Sequence, residues 1–439
     1  MLLLTTCVVT VALREAGGRL VDLVAGGELR EARRRERLRQ HGRRIAGVLG
    51  ELKGPYVKLG QFAALRYDLV PAWLRDALAS LHDSVPALPF DRVVSVVERE
   101  LGIPLGEAFV RFEPQPLGAA SIAQVHRALL DDGRDVAVKV QHPWLEASLP
   151  ADLALLRRLV ALAATLAGRS PQAGRRLFDE FASSLAEELD FEREAAVAQE
   201  IAANLAFEAQ IVVPSIVASH TTRRVLTMEY HPAVGILDRV SLGRLGVSPG
   251  AVLEILARAY AKQVFVDGLF HADPHPGNLF VIDEPGAGER PRVLFIDFGL
   301  SRRLDPVLRR EMRQGLFALL QRDLDGFVGG MDRMGMIAPG AGPGVRRAVE
   351  SMFERLRGEG PNPLSLSGGQ VIAMKDEAKK LLEQTPGLQL PNDLLLYAKT
   401  LSYLFQLGEA LDPRVDLLRI SVPYLLRFLA ERPAEVATA

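Results

Sequence analysis

The chain has 439 residues, 48% hydrophobic and 24% charged, a globular composition with length for roughly two or three domains at ~150 residues each. Its 53 basic residues nearly cancel its 54 acidic ones, so nothing in the charge balance argues for a nucleic-acid partner. The single cysteine, Cys7, excludes an intramolecular disulfide framework and fits a reducing, cytoplasmic compartment.

Met1 to Leu13 is apolar apart from threonines at 5, 6 and 10. It falls short of the ~20 apolar residues a spanning helix needs. It also lacks a basic leader, and Arg14 to Gly18 make a poor cleavage site. A helix packed on the domain is the expectation, ahead of an interfacial anchor. Residues 19 to 50, rich in Arg and Glu with Val21, Val24, Leu29, Leu38, Ile45, Val48 and Leu49 at helical spacing, predict a helical extension. Pro71, Pro86 and Pro89 punctuate the segment after it, and from about residue 109 the texture changes.

Val136 to Val140 is short and β-branched and reads as a buried strand. Asp152 to Leu166 and the long Glu- and Ala-rich stretch Phe178 to Leu205 read as helices, and Ile211 to Val213 and Arg224 to Met228 as strands. Val252 to Val266 is a further helix, followed by strands at Leu279 to Ile282 and Val293 to Ile296 around a Gly- and Pro-rich turn, Asp283 to Arg292. Beyond about 304 the pattern is helical, broken near Pro339 to Gly344 and Gly358 to Gly368; the tail at Ile420 to Leu429 is amphipathic but interrupted by Pro423 and Arg427. There is no internal repeat. The order is a helical cap, a small α/β region and a mostly helical lobe, an α+β arrangement.

The densest chemical signal is His271-Ala272-Asp273-Pro274-His275-Pro276-Gly277-Asn278, between a helix and a strand. An Asp followed five residues later by an Asn has the spacing of a protein-kinase catalytic loop, where the Asp orients or deprotonates the nucleophile and the Asn holds a magnesium ion. Asp297-Phe298-Gly299 comes directly after a strand, where the aspartate would supply the second metal ligand. Magnesium suits such a set, one or two carboxylates completed by phosphate oxygens and water. Lys139 sits inside an apolar strand, a costly place unless the ammonium is paired or binds a ligand. Val-Ala-Val-Lys fits a lysine that meets nucleotide phosphates and a helix glutamate, for which Glu194 is the candidate. No glycine-rich phosphate loop precedes it. The hairpin position holds Leu117 to Val125, with Gly118, Ala119, Ala120 and Ser121 at its tip, where alanine keeps a Cβ that glycine lacks. His271, Asp273 and His275 also raise a metal-hydrolase reading, against which Pro274 and Pro276 speak by denying the histidines one helix face.

Gly118-Ala-Ala-Ser-Ile-Ala-Gln-Val-His126 ahead of Val-Ala-Val-Lys139-Val-Gln-His-Pro143 resembles the Ala-rich loop and lysine strand of the UbiB family, the AarF-domain or ADCK-type atypical kinases. The loop His271 to Asn278 is similar to that family's form as well. So are Lys58-Leu59-Gly60-Gln61, its KxGQ motif, and Glu188-Leu189-Asp190, its ExD motif. The match runs from roughly residue 50 to 310.

The resemblance implies a bilobal protein-kinase-like fold of α+β class, with a small β-containing N-lobe, a mainly helical C-lobe and an added N-terminal helical extension. The expected boundaries are 1–105 for the extension, 106–232 for the N-lobe and 233–439 for the C-lobe. It implies that Lys58 and Gln61 lie on a helix covering the nucleotide cleft and contact Glu188 and Asp190. Lys139 and Glu194 would form the nucleotide-positioning ion pair, Asp273 would be the catalytic aspartate, and Asn278 and Asp297 the metal ligands. Glu229 and Tyr230, in Met228-Glu229-Tyr230, would form the hinge that meets adenine. ATP and Mg²⁺ are the implied cofactors. The cap favours ATPase activity or a lipid-like acceptor over protein substrates, and the family is tied to isoprenoid quinone biosynthesis. Quinone precursors, quinone biosynthetic enzymes and peripheral contact with the inner face of a membrane are therefore the expected partners. Some bacterial relatives carry C-terminal spans, and no stretch here is apolar enough for one. Two rival functions remain, an ATP-gated scaffold without turnover and a small-molecule phosphotransferase.

Overall fold

The computed structural model describes residues 2–22, 27–81, 86–166, 170–288, 290–356 and 379–431. The break expected at 358–368 lies outside them. Among the described residues there are, in chain order, the strands β1 (Arg111–Ala119), β2 (Ala123–Leu129), β3 (Asp135–Gln141), β4 (Ile211–Val212), β5 (Val225–Glu229), β6 (Ala233–Gly235), β7 (Leu269–Phe270), β8 (Leu279–Ile282), β9 (Val293–Phe295) and β10 (Arg302–Arg303). The chain divides into two compact units, Met1–Phe191 with Val217–Thr227, and Glu192–Ile216 with Met228–Ala439.

In the first unit the apolar N-terminal stretch belongs to a helix, Leu2–Asp22, that lies against the helix Gly27–Leu52. Leu4 and Cys7 are buried there, and Arg37 donates to both carboxylate oxygens of Asp22 at 3.2 and 2.6 Å. The KxGQ residues lie on the helix Pro55–Ala64, which opens on a proline, the residue best suited to a first helical turn. Gly60 faces Leu49, Leu78 and Leu81 so closely that a Cβ there would stand 2.3 Å from Leu81.

The sheet of this unit has the order β1-β2-β3-β5. β1 carries Pro114 and Pro116 and is an edge strand with two register shifts, the position where a strand tolerates residues that cannot donate to the ladder. β2 and β3 pair without interruption from Ala123↔Gln141 to Leu129↔Asp135. The two-residue period of β3 decides the fate of its lysine. Val136, Val138 and Val140 are buried among Val93, Val96 and Val97 of the helix Phe90–Leu101, with Phe109, Ala128 and Val225. Lys139 therefore points to the opposite face of the sheet.

The helical pattern over 178–205 is two helices, Pro171–Glu188 and Phe191–Leu205. The break has a local cause. The Gln141 side chain donates to the Leu189 carbonyl at 2.6 Å, and the Phe191 amide donates to the Arg223 carbonyl at 3.1 Å, so both backbone groups leave the helical ladder. Ordinary helix periodicity carries no trace of such distant partners.

The second unit holds a sheet of order β4-β9-β8-β6, with β4 parallel to β9 and the rest antiparallel, and a short pair of β7 with β10. Its core gathers Ile201 and Leu205, Leu253, Leu256 and Tyr260 of the helix Pro249–Ala261, Val281, Val293 and Phe295 of the sheet, and Leu404, Leu407 and Leu411 of the helix Asn392–Leu411. The helix read over 252–266 ends as α-helix at Ala261. Lys262–Asp267 continues it as a π-turn, and Gly268 closes it at φ 66°, a backbone that glycine adopts without a Cβ clash. The interrupted tail forms a helix, Leu417–Ala430, with Pro423 inside it.

Candidate functional site

In the second unit the loop after β7 and the end of β9 bring three of the expected residues together. The amide of Asn278 donates to the Asp273 carbonyl at 3.2 Å and approaches its Oδ2 at 3.5 Å. Backbone bonds from His275 to Asp273 (2.7 Å) and from Asn278 to His275 (2.8 Å) close the loop around the two prolines. Because Asn278 commits its Nδ2 to Asp273, its Oδ1 takes no hydrogen bond among the described residues and is left as an acceptor for a cation. Ile296, just before Asp297, donates to the Asn278 carbonyl at 3.0 Å, so β8 and β9 hold the two expected metal ligands in register.

Asp297 sits at φ 61°, the left-handed region that a non-glycine residue enters only under constraint, aspartate more readily than most. His271 supplies the constraint. Its Nε2–H donates to the carbonyls of Asp297 (2.9 Å) and Ile296 (3.2 Å), and its Nδ1 accepts from the Tyr260 hydroxyl at 2.9 Å. Phe298 packs edge-on against the ring at 5.2 Å. The imidazole is wholly enclosed, and burial pushes its pKa below the ordinary histidine value, so it is neutral with its proton on Nε2. Both ring nitrogens are engaged, which leaves His271 no lone pair for a metal. His275 is exposed and its Nδ1 accepts from Gly277 at 3.1 Å. Among the described residues no group of three His, Cys, Asp or Glu side chains could hold a metal by itself. An Asp with an Asn suits a magnesium ion whose remaining ligands are phosphate oxygens and water.

One member of this constellation carries no sequence motif. Lys399, on the helix Asn392–Leu411, donates to Asp273 Oδ1 at 2.8 Å. The signal that could have found it is the one that singled out Lys139: a lone lysine in an apolar run, here Leu394-Leu395-Leu396-Tyr397-Ala398-Lys399. Glu229, at the end of β5, has its amide committed to the Ser215 carbonyl at 2.9 Å, and Tyr230 follows it half-buried. Glu194 is buried on the helix Phe191–Leu205.

The first unit holds the other expected residues. Lys139 is half-buried, with its ammonium 4.9 Å from the centre of the Phe191 ring. The Ala-rich loop is a tight turn between β1 and β2, in which Ala120 donates to the Ala123 carbonyl at 2.8 Å. Gly118 and Ala120 are exposed, Ala119 is half-buried and Ser121 is buried, with no hydrogen-bond partner for its hydroxyl among the described residues. Two buried histidines brace the hairpin, His142 at the turn and His126 between its strands. His142 donates through Nε2 to the Ala120 carbonyl at 2.9 Å, and its amide donates to Ile122 at 2.9 Å. His126 donates through Nδ1 to the Glu113 carbonyl at 2.7 Å and accepts at Nε2 from Gln124, whose Oε1 accepts from the Leu88 amide. Each ring is thereby fixed in one neutral tautomer.

On the KxGQ helix, Lys58 forms an ion pair with Glu188, largely shielded from water at 13% and 14% side-chain exposure. Four residues on, Phe62 meets Phe181 with ring centres 5.9 Å apart, and just past the end of the helix Arg66 pairs with Glu180. The helix thus runs antiparallel to Pro171–Glu188 along one face. Gln61 is turned to the Leu81 carbonyl at 3.4 Å. Asp190 lies just beyond the end of Pro171–Glu188, at the helix break.

Comparison with known proteins agrees with this geometry. The family model of the ABC1 atypical kinase-like domain matches residues 80–329. The chain is 34% identical over 411 residues to the Arabidopsis thaliana chloroplastic protein ACTIVITY OF BC1 COMPLEX KINASE 8, covering 87% of this chain and 53% of that one. It is 32% identical over 403 residues to the probable protein kinase UbiB of Marinobacter nauticus, covering 89% of this chain and 70% of that one. The chain thus spans about half the length of the plant relative. Among solved structures, that of Rv3197 from Mycobacterium tuberculosis in complex with erythromycin is similar at a TM-score of 0.55 and 26% identity, over 88% of this chain and 95% of that one. The fold is a kinase-like α+β fold.

Proposed function

Because the chain belongs to the ABC1 atypical kinase-like family, we propose that it is an atypical kinase or ATPase that uses Mg-ATP to support isoprenoid quinone biosynthesis at a membrane surface. The observation that carries this reading is the loop in which Asn278 is tied through its nitrogen to Asp273 while Asp297 follows the end of β9, whose next residue, Ile296, donates to the Asn278 carbonyl. The magnesium ion, held by Asn278 and Asp297, would neutralise phosphate charge as the transferred group moves. Asp273 would orient the attacking hydroxyl or water and accept its proton. Lys139 and Glu194 keep the nucleotide-positioning roles that the family resemblance implies. Gly118, Ala119, Ala120 and Ser121 would face the phosphates, and the backbone of Glu229 and Tyr230 the base. Since the Glu229 amide is committed to Ser215, its carbonyl is the group left to meet adenine. The Lys58–Glu188 pair, with Gln61 at the Leu81 carbonyl and Asp190 at the helix break, would fasten the helix that by the family resemblance covers the cleft, which favours water or a lipid-like acceptor. The UbiB name of a relative supports the quinone assignment. No helix among the described residues is long and apolar enough to cross a membrane. The membrane contact proposed is a peripheral one.

ATP turnover by the purified protein with Mg²⁺, measured with and without anionic lipid vesicles and a phenolic mimic of a quinone precursor, tests the reading. Asp297→Asn serves as the blank. Turnover that depends on Asp297 and rises with lipid is expected. Bound ATP without turnover in every condition would replace this reading with the second one, a nucleotide-gated scaffold. That alternative draws on the Ala-rich turn, held at Ala120 by the buried His142 where kinases have flexible glycines.

A further inference from the structure

We propose that Lys399 is a positioning residue of the catalytic loop, whose ammonium holds the Asp273 carboxylate and offsets its charge beside the metal ligands Asn278 and Asp297. The inference deepens the phosphotransferase reading and rests on Asp273 being its catalytic aspartate. Lys399 lies beyond the residues that the family model matches.

Between Asp273 and Asn278 the loop reads Pro274-His275-Pro276-Gly277, with no lysine or arginine. The Asp273 carboxylate therefore has no permanent cation from its own segment. The helix Asn392–Leu411 supplies one, 126 residues away in sequence. One face of that helix tracks the loop turn by turn. Tyr397 meets Phe270 edge-on at 6.1 Å, Lys399 meets Asp273, Thr400 lies with its hydroxyl 3.2 Å from the Ala272 carbonyl while donating to Leu396 of its own helix at 2.8 Å, and Tyr403 meets His275 at 6.0 Å. Leu404, Leu407 and Leu411 sink into the same core as Leu279 and Phe295, the strand residues that deliver Asn278 and Asp297. The offset of the ammonium from the carboxylate is thus set by buried packing on both sides.

A lysine that merely snorkels to water would be exposed. The Lys399 and Asp273 side chains are only 15% and 22% exposed. The carboxylate is consequently held from two sides, Oδ1 by Lys399 and Oδ2 by the Asn278 amide. An ammonium has three donors, and Asp273 takes one; the Tyr403 ring lies 5.5 Å from the charge. A cation here lowers the net negative charge next to the metal ligands. It therefore weakens the grip on a divalent ion while keeping Asp273 in the orientation the reaction needs.

The test is a titration of the full chain with Mn²⁺ in the presence of a non-hydrolysable ATP analogue, free Mn²⁺ being read by electron paramagnetic resonance. ATP turnover is measured in parallel on wild type, Lys399→Met, Lys399→Arg and the double variant Asp273→Asn/Lys399→Met. Lys399→Met is expected to bind Mn²⁺ tighter, by about 3- to 10-fold, because an unbalanced carboxylate now faces the ion. Its kcat is expected to fall by about 10-fold or more with KM for ATP nearly unchanged, the mark of a lost orientation rather than of lost substrate binding. Lys399→Arg should restore both values, and the double variant should return the Mn²⁺ affinity to that of wild type. Lys399→Gln takes the place of Lys399→Met if the latter fails to fold. Wild-type Mn²⁺ affinity in Lys399→Met, with or without a loss of stability, overturns the inference and leaves Lys399 a structural lysine. A wild-type chain that takes up no Mn²⁺ with the nucleotide defeats the phosphotransferase reading, and this inference with it, so the two failures are told apart by the first titration.

Discussion

His271 shows how an enclosed side chain fixes the backbone of its neighbour, Asp297, the proposed metal ligand. Its ring stands between the Tyr260 hydroxyl and the carbonyls that flank Asp297. Phenylalanine would fill the space and satisfy none of these three groups. A buried polar group without a partner costs about 1–3 kcal/mol, in full for the Tyr260 hydroxyl and less for the two part-buried carbonyls, so His271→Phe is expected to lose about 2–4 kcal/mol in urea unfolding. With its carbonyl released, Asp297 can leave the left-handed backbone, and the Mg²⁺ concentration that gives half-maximal turnover should rise. Ser121 is the converse case. Its hydroxyl is buried without a partner in the Ala-rich turn, and replacing it removes a desolvation cost without breaking a bond. Ser121→Ala is expected to leave stability unchanged or raise it by up to about 1 kcal/mol; a loss greater than that would mean the hydroxyl is satisfied in solution.

Between elements, a close backbone approach in the first unit is the crossing of the helices Trp144–Leu166 and Pro171–Glu188. Gly174 marks it: a Cβ there would lie 2.8 Å from the Val160 carbonyl oxygen and 2.9 Å from the Ala161 Cα. Backbone cannot swing aside as a side chain does, so Gly174→Ala is expected to cost about 1–3 kcal/mol and to lower the thermal midpoint. Because Glu188 ends the second of these helices, spreading the crossing should also disturb the Lys58–Glu188 pair, visible as faster amide exchange over Pro55–Ala64. Legibility in the sequence depends on the range of the interaction. Helices, the lysine strand and the two loops that carry Asp273, Asn278 and Asp297 depend on neighbours within a few residues and could be read directly. β1 could not, because Pro114 and Pro116 argue against a strand and only its place at a sheet edge permits them. The break at Leu189 and Asp190 and the arrival of Lys399 at Asp273 depend on partners 48 and 126 residues away, a distance that no local periodicity encodes. The KxGQ and ExD motifs became meaningful only through family resemblance, since an isolated Lys or Glu on a helix surface has no signature of its partner.

Across the whole molecule, buried neutral histidines tie stability to pH. His41, His126 and His142 lie in the first unit and His271 in the second, all at most 4% exposed. Burial is the leading cause in each, and it lowers every one of their pKa values from the ordinary 6.5. An unfolded chain takes up these protons as pH falls through about 6.5, while the folded chain resists them. Below that pH the unfolded state therefore binds more protons, and stability declines as the solution is acidified until the depressed folded-state values are reached. Each such histidine contributes a slope of up to about 1.4 kcal/mol per pH unit within that window. Three of the four are in the first unit, so that unit should weaken first. Trp73 and Trp144 are the two tryptophans of the chain, and both belong to that unit. Urea unfolding monitored by tryptophan fluorescence between pH 7.5 and 5.5, above the carboxylate range, should show a midpoint falling more steeply than the far-ultraviolet signal, which reports helices of both units. His126→Phe should flatten the fluorescence slope by about one proton's worth. Identical slopes by the two probes would mean that acid opens both units together, and a flat profile would mean that these histidines take up protons equally in the folded and the unfolded chain.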